Sequence, residues 1–168
     1  MSESIYGTIW DVLENRGEAN VEAAKAEIDK LIRVAKSFQS DLLRGWDVVE
    51  SRFRYRPAAP DARADKFAVV KSIEDAIRLN GSRSLDLYFA IGFDEKGGKP
   101  RYLVDFEVHI ESVVAEAYRL RTEANRESQP WTGRNFINAF GVRVIEFLRV
   151  VAPSLPARAE DVPLIRYE

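Results

Sequence analysis

The sequence predicts an α+β fold, with about five helices packed on one face of a small antiparallel sheet of two or three strands built around a hairpin from Ser84 to Glu111. Two observations predict the two classes of element. Adjacent stretches on either side of Gly97-Gly98 alternate apolar and polar residues with a period of two, and other stretches repeat apolar residues at three- and four-residue steps. A third, the Gly- and Pro-bearing breaks between them, sets the boundaries.

Ile5, Ile9, Trp10 and Leu13 have helical spacing and Gly17 follows them, so a short helix ended by a glycine cap is expected first. Asn20 then caps a second helix. Its stripe of Val21, Ala24, Ile28, Leu31, Ala35, Phe38, Leu42 and Val49 advances by threes and fours, with Gly45 in the missing position. Unbroken to Arg54, this helix would be about 50 Å long in a globule about 40 Å across, so it should break, and Gly45 is the cheapest place. The stripe is either the seam of a homodimer or one face of an intramolecular bundle. Ile32, Val34 and Leu43 widen it beyond a two-stranded seam and favour the bundle.

Arg56-Pro57-Ala58-Ala59-Pro60 is a stiff connector, and Asp61 is placed to start a helix with Phe67, Val70, Ile73 and Ile77 inward, ended at Asn80-Gly81-Ser82. In the hairpin, Leu85, Leu87, Phe89, Ile91 and Phe93 alternate with polar or small residues, as do Tyr102, Val104, Phe106, Val108 and Ile110. A two-residue turn at Gly97-Gly98 pairs Phe93 with Tyr102, Phe89 with Phe106 and Leu85 with Ile110, which puts both apolar sets on one face. A slip of one residue would turn one set over, so turn and pattern select the same register. Pro100 lacks a donor, which makes the start of the second strand an edge.

Val113, Val114, Ala117, Leu120 and Ala124 suit a helix, with a third strand from Val113 to Ala117 as the alternative. After the break at Gln129-Pro130-Trp131-Thr132-Gly133, Phe136, Ile137, Phe140, Val144, Phe147, Leu148 and Val151 mark a final amphipathic helix. Residues 1–152 are expected to form one domain. Residues 153–168, spaced by Pro153, Pro156 and Pro163, form a tail from which Leu164, Ile165 and Tyr167 can dock.

At 168 residues the chain is long enough to bury a core without a staple. The absence of Cys removes thiolate catalysis, zinc ribbons and redox switches. With 25 basic and 27 acidic residues, the net charge of −2 gives no global pull on nucleic acid or anionic lipid. Neither a signal pattern at Met1–Trp10 nor an apolar run of about 20 residues is present, so a soluble, cytoplasmic protein is expected.

Three groups of residues carry candidate chemistry. The hairpin register places Asp86 across from His109, with Asp105 and Glu107 on the same face. Carboxylates with one imidazole suit Mn²⁺, Mg²⁺ or Zn²⁺, and a metal-bound water would serve a hydrolase or phosphodiesterase. The plainer reading is the outer face of an amphipathic sheet, with Asp86 and His109 as a cross-strand pair and no cofactor. Thr132 and Arg134 precede a helix and could hold an anion, or Thr132 is an ordinary cap with Trp131 as a staple. Arg52, Arg54, Tyr55 and Arg56 interleave cations and aromatics as a nucleic-acid contact does, although a helix C-terminus also favours cations. No serine lies in a nucleophile motif and no P-loop is present. The reading that follows is a non-enzymatic interaction or regulatory protein, self-associating through helix packing or binding a protein partner. The alternative is a metal-dependent hydrolase on Asp86, Asp105, Glu107 and His109.

Overall fold

The computed structural model describes residues 21–93, 99–114, 117–122, 129–130, 134–155 and 162–168. The helix expected from Ile5 to Leu13 and the Gly97-Gly98 turn lie outside them. Helix α1 (Val21–Gly45) leads to strand β1 (Phe53–Tyr55), a single helical turn α2 (Pro60–Arg63) and strand β2 (Ile77–Leu79). Strands β3 (Ser84–Phe93) and β4 (Tyr102–Val114) follow, then β5 (Ala117–Thr122), β6 (Gln129–Pro130), helix α3 (Arg134–Val151) and β7 (Leu164–Arg166).

These strands make one seven-stranded sheet. The register between β3 and β4 is the one set by the apolar alternation, Phe93 with Tyr102 through Ser84 with Glu111. Strands β1 and β2 pair in succession along the free edge of β3, while β4 carries β5 along its later half and β7, in parallel, along its earlier half. The sheet is therefore built around the hairpin but is far larger than two or three strands. Among the described residues only α1 and α3 exceed one helical turn, so the expectation of about five helices on a small sheet is overturned. No helix of the described residues is long and apolar enough to cross a membrane.

Three local differences account for the change, and each has a physical cause. The segment from Asp61 to Asn80 is not one continuous helix. The carbonyls of Arg63, Asp65 and Ala68, which a helix would spend on its own ladder, instead accept from the Arg56 guanidinium. Phe67 is consequently half exposed, while Ile77 and Leu79 turn inward as alternate residues of β2. Residues Ala117–Thr122 form a strand because Leu120 is buried while Arg119 and Arg121 point out, a period of two that the helical spacing of Ala117 and Leu120 hid. The start of β4 is not an edge beyond Leu103, because the Leu103 N–H donates to the Pro163 carbonyl at 2.8 Å and β7 continues the pairing.

Helix α1 ends at Gly45, where a Cβ would stand 2.7 Å from the Ile137 side chain, so glycine lets α3 cross closely. Trp46 follows and locks the crossing by donating its indole N–H to the Ile137 carbonyl at 3.0 Å. The α1 stripe of Ala24, Ile28, Leu31, Ala35, Phe38 and Leu42 is wholly buried against the chain's own sheet and α3, which is the intramolecular use of that stripe. Phe38, Phe89, Phe106, Phe136 and Phe140 interlock with Trp46 and Tyr167 through ring centroids 5.0 to 6.4 Å apart. Both helices thus cover the apolar face of the sheet, joined by Ile73 and Ala76, and the opposite face is left to the segment from Arg56 to Ala68 and to solvent.

Candidate functional site

The opposite face has an order that follows from the pairing registers. Its outer columns supply arginines: Arg54, Arg56 and Arg78 on the β1/β2 side, and Arg119, Arg121 and Arg166 on the β5/β7 side. The central strands supply Asp86 and Tyr88 from β3, and Asp105, Glu107, His109 and Glu111 from β4. Rows across the sheet read Arg78, Asp86, His109, Arg121 and Arg54, Ala90, Asp105, Arg166. With Glu168 beside Arg166, the face brings six arginines and five carboxylates together in a chain whose net charge is −2.

Asp86 is the best-anchored of the acids, with a side chain only 7 % exposed. One oxygen meets His109 Nδ1 at 2.7 Å, and the other accepts from Arg78 Nη2 and Asn80 Nδ2, each at 2.8 Å. Burial is the largest single influence on its carboxyl and pushes it up, yet the hydrogen bonds from His109, Asn80 and Arg78 together outweigh it and bring it down to about 2. An ionised carboxylate only accepts, so the Asp86 contact assigns the His109 proton to Nδ1 when the ring is neutral. The same pairing raises the Arg78 guanidinium above its ordinary value.

Glu107 accepts from the Tyr88 hydroxyl at 3.1 Å and lies between Arg78 Nη2 at 4.0 Å and Arg166 Nη2 at 3.9 Å. Arg166 also approaches Glu168 at 3.5 Å. Arg63 stacks over the Tyr88 ring at 4.0 Å, and burial, then Glu107 and Asp86, hold the Tyr88 phenol above its ordinary value. Asp105 faces Arg56 Nε at 3.3 Å, and burial raises its carboxyl despite that cation. Arg56 is 2 % exposed and is enclosed by Asp105 and by the carbonyls of Arg63, Asp65 and Ala68. Its role is to bind the Arg63–Ala68 loop to the sheet.

The candidate residues therefore separate into different roles. Asp86 and His109 come together, whereas Asp105 and Glu107 are drawn to other partners. Among the described residues no three His, Asp or Glu side chains form a group able to hold a metal ion. Of the interleaved cations and aromatics, Arg56 is internal, Tyr55 donates its hydroxyl to Gln39, and Arg54 is exposed on an edge strand. Arg52 is half-buried in the turn before β1, and these residues do not line one continuous surface as the run of sequence implied. Arg134 is exposed at the first position of α3, and Thr132 lies outside the described residues.

Arg78, Asn80, Asp86, Glu107, His109 and Arg121 line an open depression of about 570 Å³. Sequence reasoning found Asp86, Glu107 and His109 but missed Arg78, Asn80 and Arg121. A period-two reading of residues 117–122 would have placed Arg119 and Arg121 together on one face, although the register shift between Ser112 and Val114 hides that Arg121 meets His109. A second concavity, about 540 Å³, is apolar and lies between the end of α1, Phe93 and α3. Comparison with known protein families, curated proteins and solved structures finds no match.

Proposed function

We propose that the protein works by binding, as a non-enzymatic interaction or accessory protein whose recognition surface is the arginine-framed sheet face. One observation carries this reading. Each of Asp86, Asp105 and Glu107 has its own cation or hydroxyl partner, so the carboxylates are spent one by one and do not converge on a common point. Buried carboxylates must be paired or coordinated, and here pairing accounts for them.

The test is thermal unfolding of chelator-stripped wild type and His109→Ala with excess Mn²⁺, Zn²⁺ or Mg²⁺. Neither protein should respond. A rise of about 5 to 11 °C in wild type alone, the effect of a ligand at a hundred times its Kd, would overturn the reading in favour of the metal-dependent hydrolase.

The apolar concavity favours self-association through α3, because the α1 stripe is buried within the chain. Trp46, Val48, Phe93 and Leu148 line it, and Val142 and Ile145 stand 58 % and 52 % exposed at its margin. Exposed apolar patches of this kind mark contact surfaces, and the occupant we assign is the same surface of a second copy. Sedimentation should give a two-chain mass for wild type and a one-chain mass for Ile145→Asp. A wild-type monomer at high concentration removes the pairing.

A further inference from the structure

Resting on the reading of the arginine-framed face as a recognition surface, we infer that the depression between Arg78 and Arg121 binds a small hydroxylated oxyanion, with a sugar phosphate as its chemical type. Size is the first argument. At about 570 Å³ the depression is in the range of small-molecule sites.

Charge is the second. Arg78 and Arg121 stand at the two ends of one row, with Asp86 and His109 between them. Arg78 offsets the Asp86 charge, and Asn80 and His109 bond its oxygens, so it repels an incoming anion less than its formal charge suggests. Arg78 uses Nη2 on Asp86 and keeps further N–H donors, and its side chain is 47 % exposed. Among the described residues, no hydrogen bond or ion pair engages Arg121, which leaves a planar donor fork suited to a phosphate or carboxylate. The third argument is what flanks that row. Glu107, in the neighbouring row on one side, and the Asn80 amide, on the other, supply acceptor oxygens, which serve hydroxyl groups and would repel a second anionic group there. Arginines at the ends of the row and acceptors on its flanks fit a molecule that carries both a phosphate and hydroxyls.

Ribose 5-phosphate, inorganic phosphate, sulfate and ribose, at matched ionic strength, are the probes for calorimetric titration and thermal unfolding. Ribose 5-phosphate should bind saturably and raise Tm by about 5 to 10 °C at a hundredfold excess over its Kd, with inorganic phosphate weaker and ribose silent. Arg121→Ala should weaken binding by about tenfold or more, the loss of a charged hydrogen bond. Arg33→Ala removes the same charge from an exposed position of α1, away from the arginine-framed face, and should bind as wild type. Equal, unsaturable shifts with sulfate and phosphate, or equal losses in the two variants, would reduce the effect to general anion stabilisation and overturn the site. Absence of any binding, in a protein that also ignores metals, removes this ligand and leaves the recognition reading standing. Metal-dependent hydrolysis of the phosphate ester would sink both.

Discussion

The two faces of the β3–β4 hairpin arise from the same alternation and are stabilised in opposite ways. On one, Leu85, Leu87, Phe89, Ile91, Val104, Phe106, Val108 and Ile110 are at most 1 % exposed and are held by contact with α1 and α3. On the other, Asp86, Asp105 and Glu107 accept from named donors at fixed geometry, His109 among them. Packing is spread over many weak contacts and tolerates shape changes that conserve volume, whereas a buried charge depends on one or two partners and fails when either is removed. The difference explains how several acids can lie together on one face, each held by its own partners.

The largest expected effect is on the apolar side. Phe106 meets Phe89, Trp46, Phe140 and Tyr167, so Phe106→Ala should cost roughly 3 to 5 kcal/mol and lower Tm by roughly 6 to 20 °C. Unchanged thermal stability would mean that this face is not the core. Next comes Arg56→Ala, which strands Asp105 without its hydrogen-bonded cation and the Arg63 and Ala68 carbonyls without a donor, at a cost of about 3 kcal/mol near neutral pH. Denaturant titration gives the value. A loss under about 1 kcal/mol would show that water replaces the guanidinium and that the two faces differ less than their burial implies.

The third effect is smaller and depends on pH. The Asp86 carboxyl is lowered in the folded chain, so its stabilisation is fully present above the ordinary range near 3.8 and is lost as pH falls towards about 2. It amounts to up to about 2 kcal/mol. Wild type should lose this between those values and Asp86→Asn should not, because an amide has no proton to gain. Parallel acid-unfolding curves would contradict the pairing.

The central hairpin was legible because its strands, ten and thirteen residues long, repeat a period of two often enough to exclude a helix, and because only one register aligns both apolar sets. Strands β1, β2 and β7 have three residues each, too few to display a period. Their arginines, and those of β5, were therefore invisible as a frame for the acids. In the same way the sequence shows Asp86 facing His109 but not Arg78, which reaches Asp86 only because residues 77–79 are a strand. Arg56 was misread for a different reason. Its partners are mainly carbonyls, which every residue has, so nothing in the side chains nearby marks it as internal.

Strand β7 has a consequence for the order in which the sheet assembles. Its partner Leu103 lies some sixty positions before Leu164, whereas β3 and β4 are neighbours along the chain. Closing so long a loop is entropically dearer and slower than folding a hairpin, so β7 is expected to join a sheet that already exists. The last-formed piece is also the first to open, and it takes Tyr167 with it from among Phe106, Phe140 and Phe147. Amide exchange at Leu103 and Tyr167, which donate to the Pro163 and Asp105 carbonyls across this seam, should accordingly outpace exchange at Phe89 and Phe106 and report a partial unlatching well below the global transition.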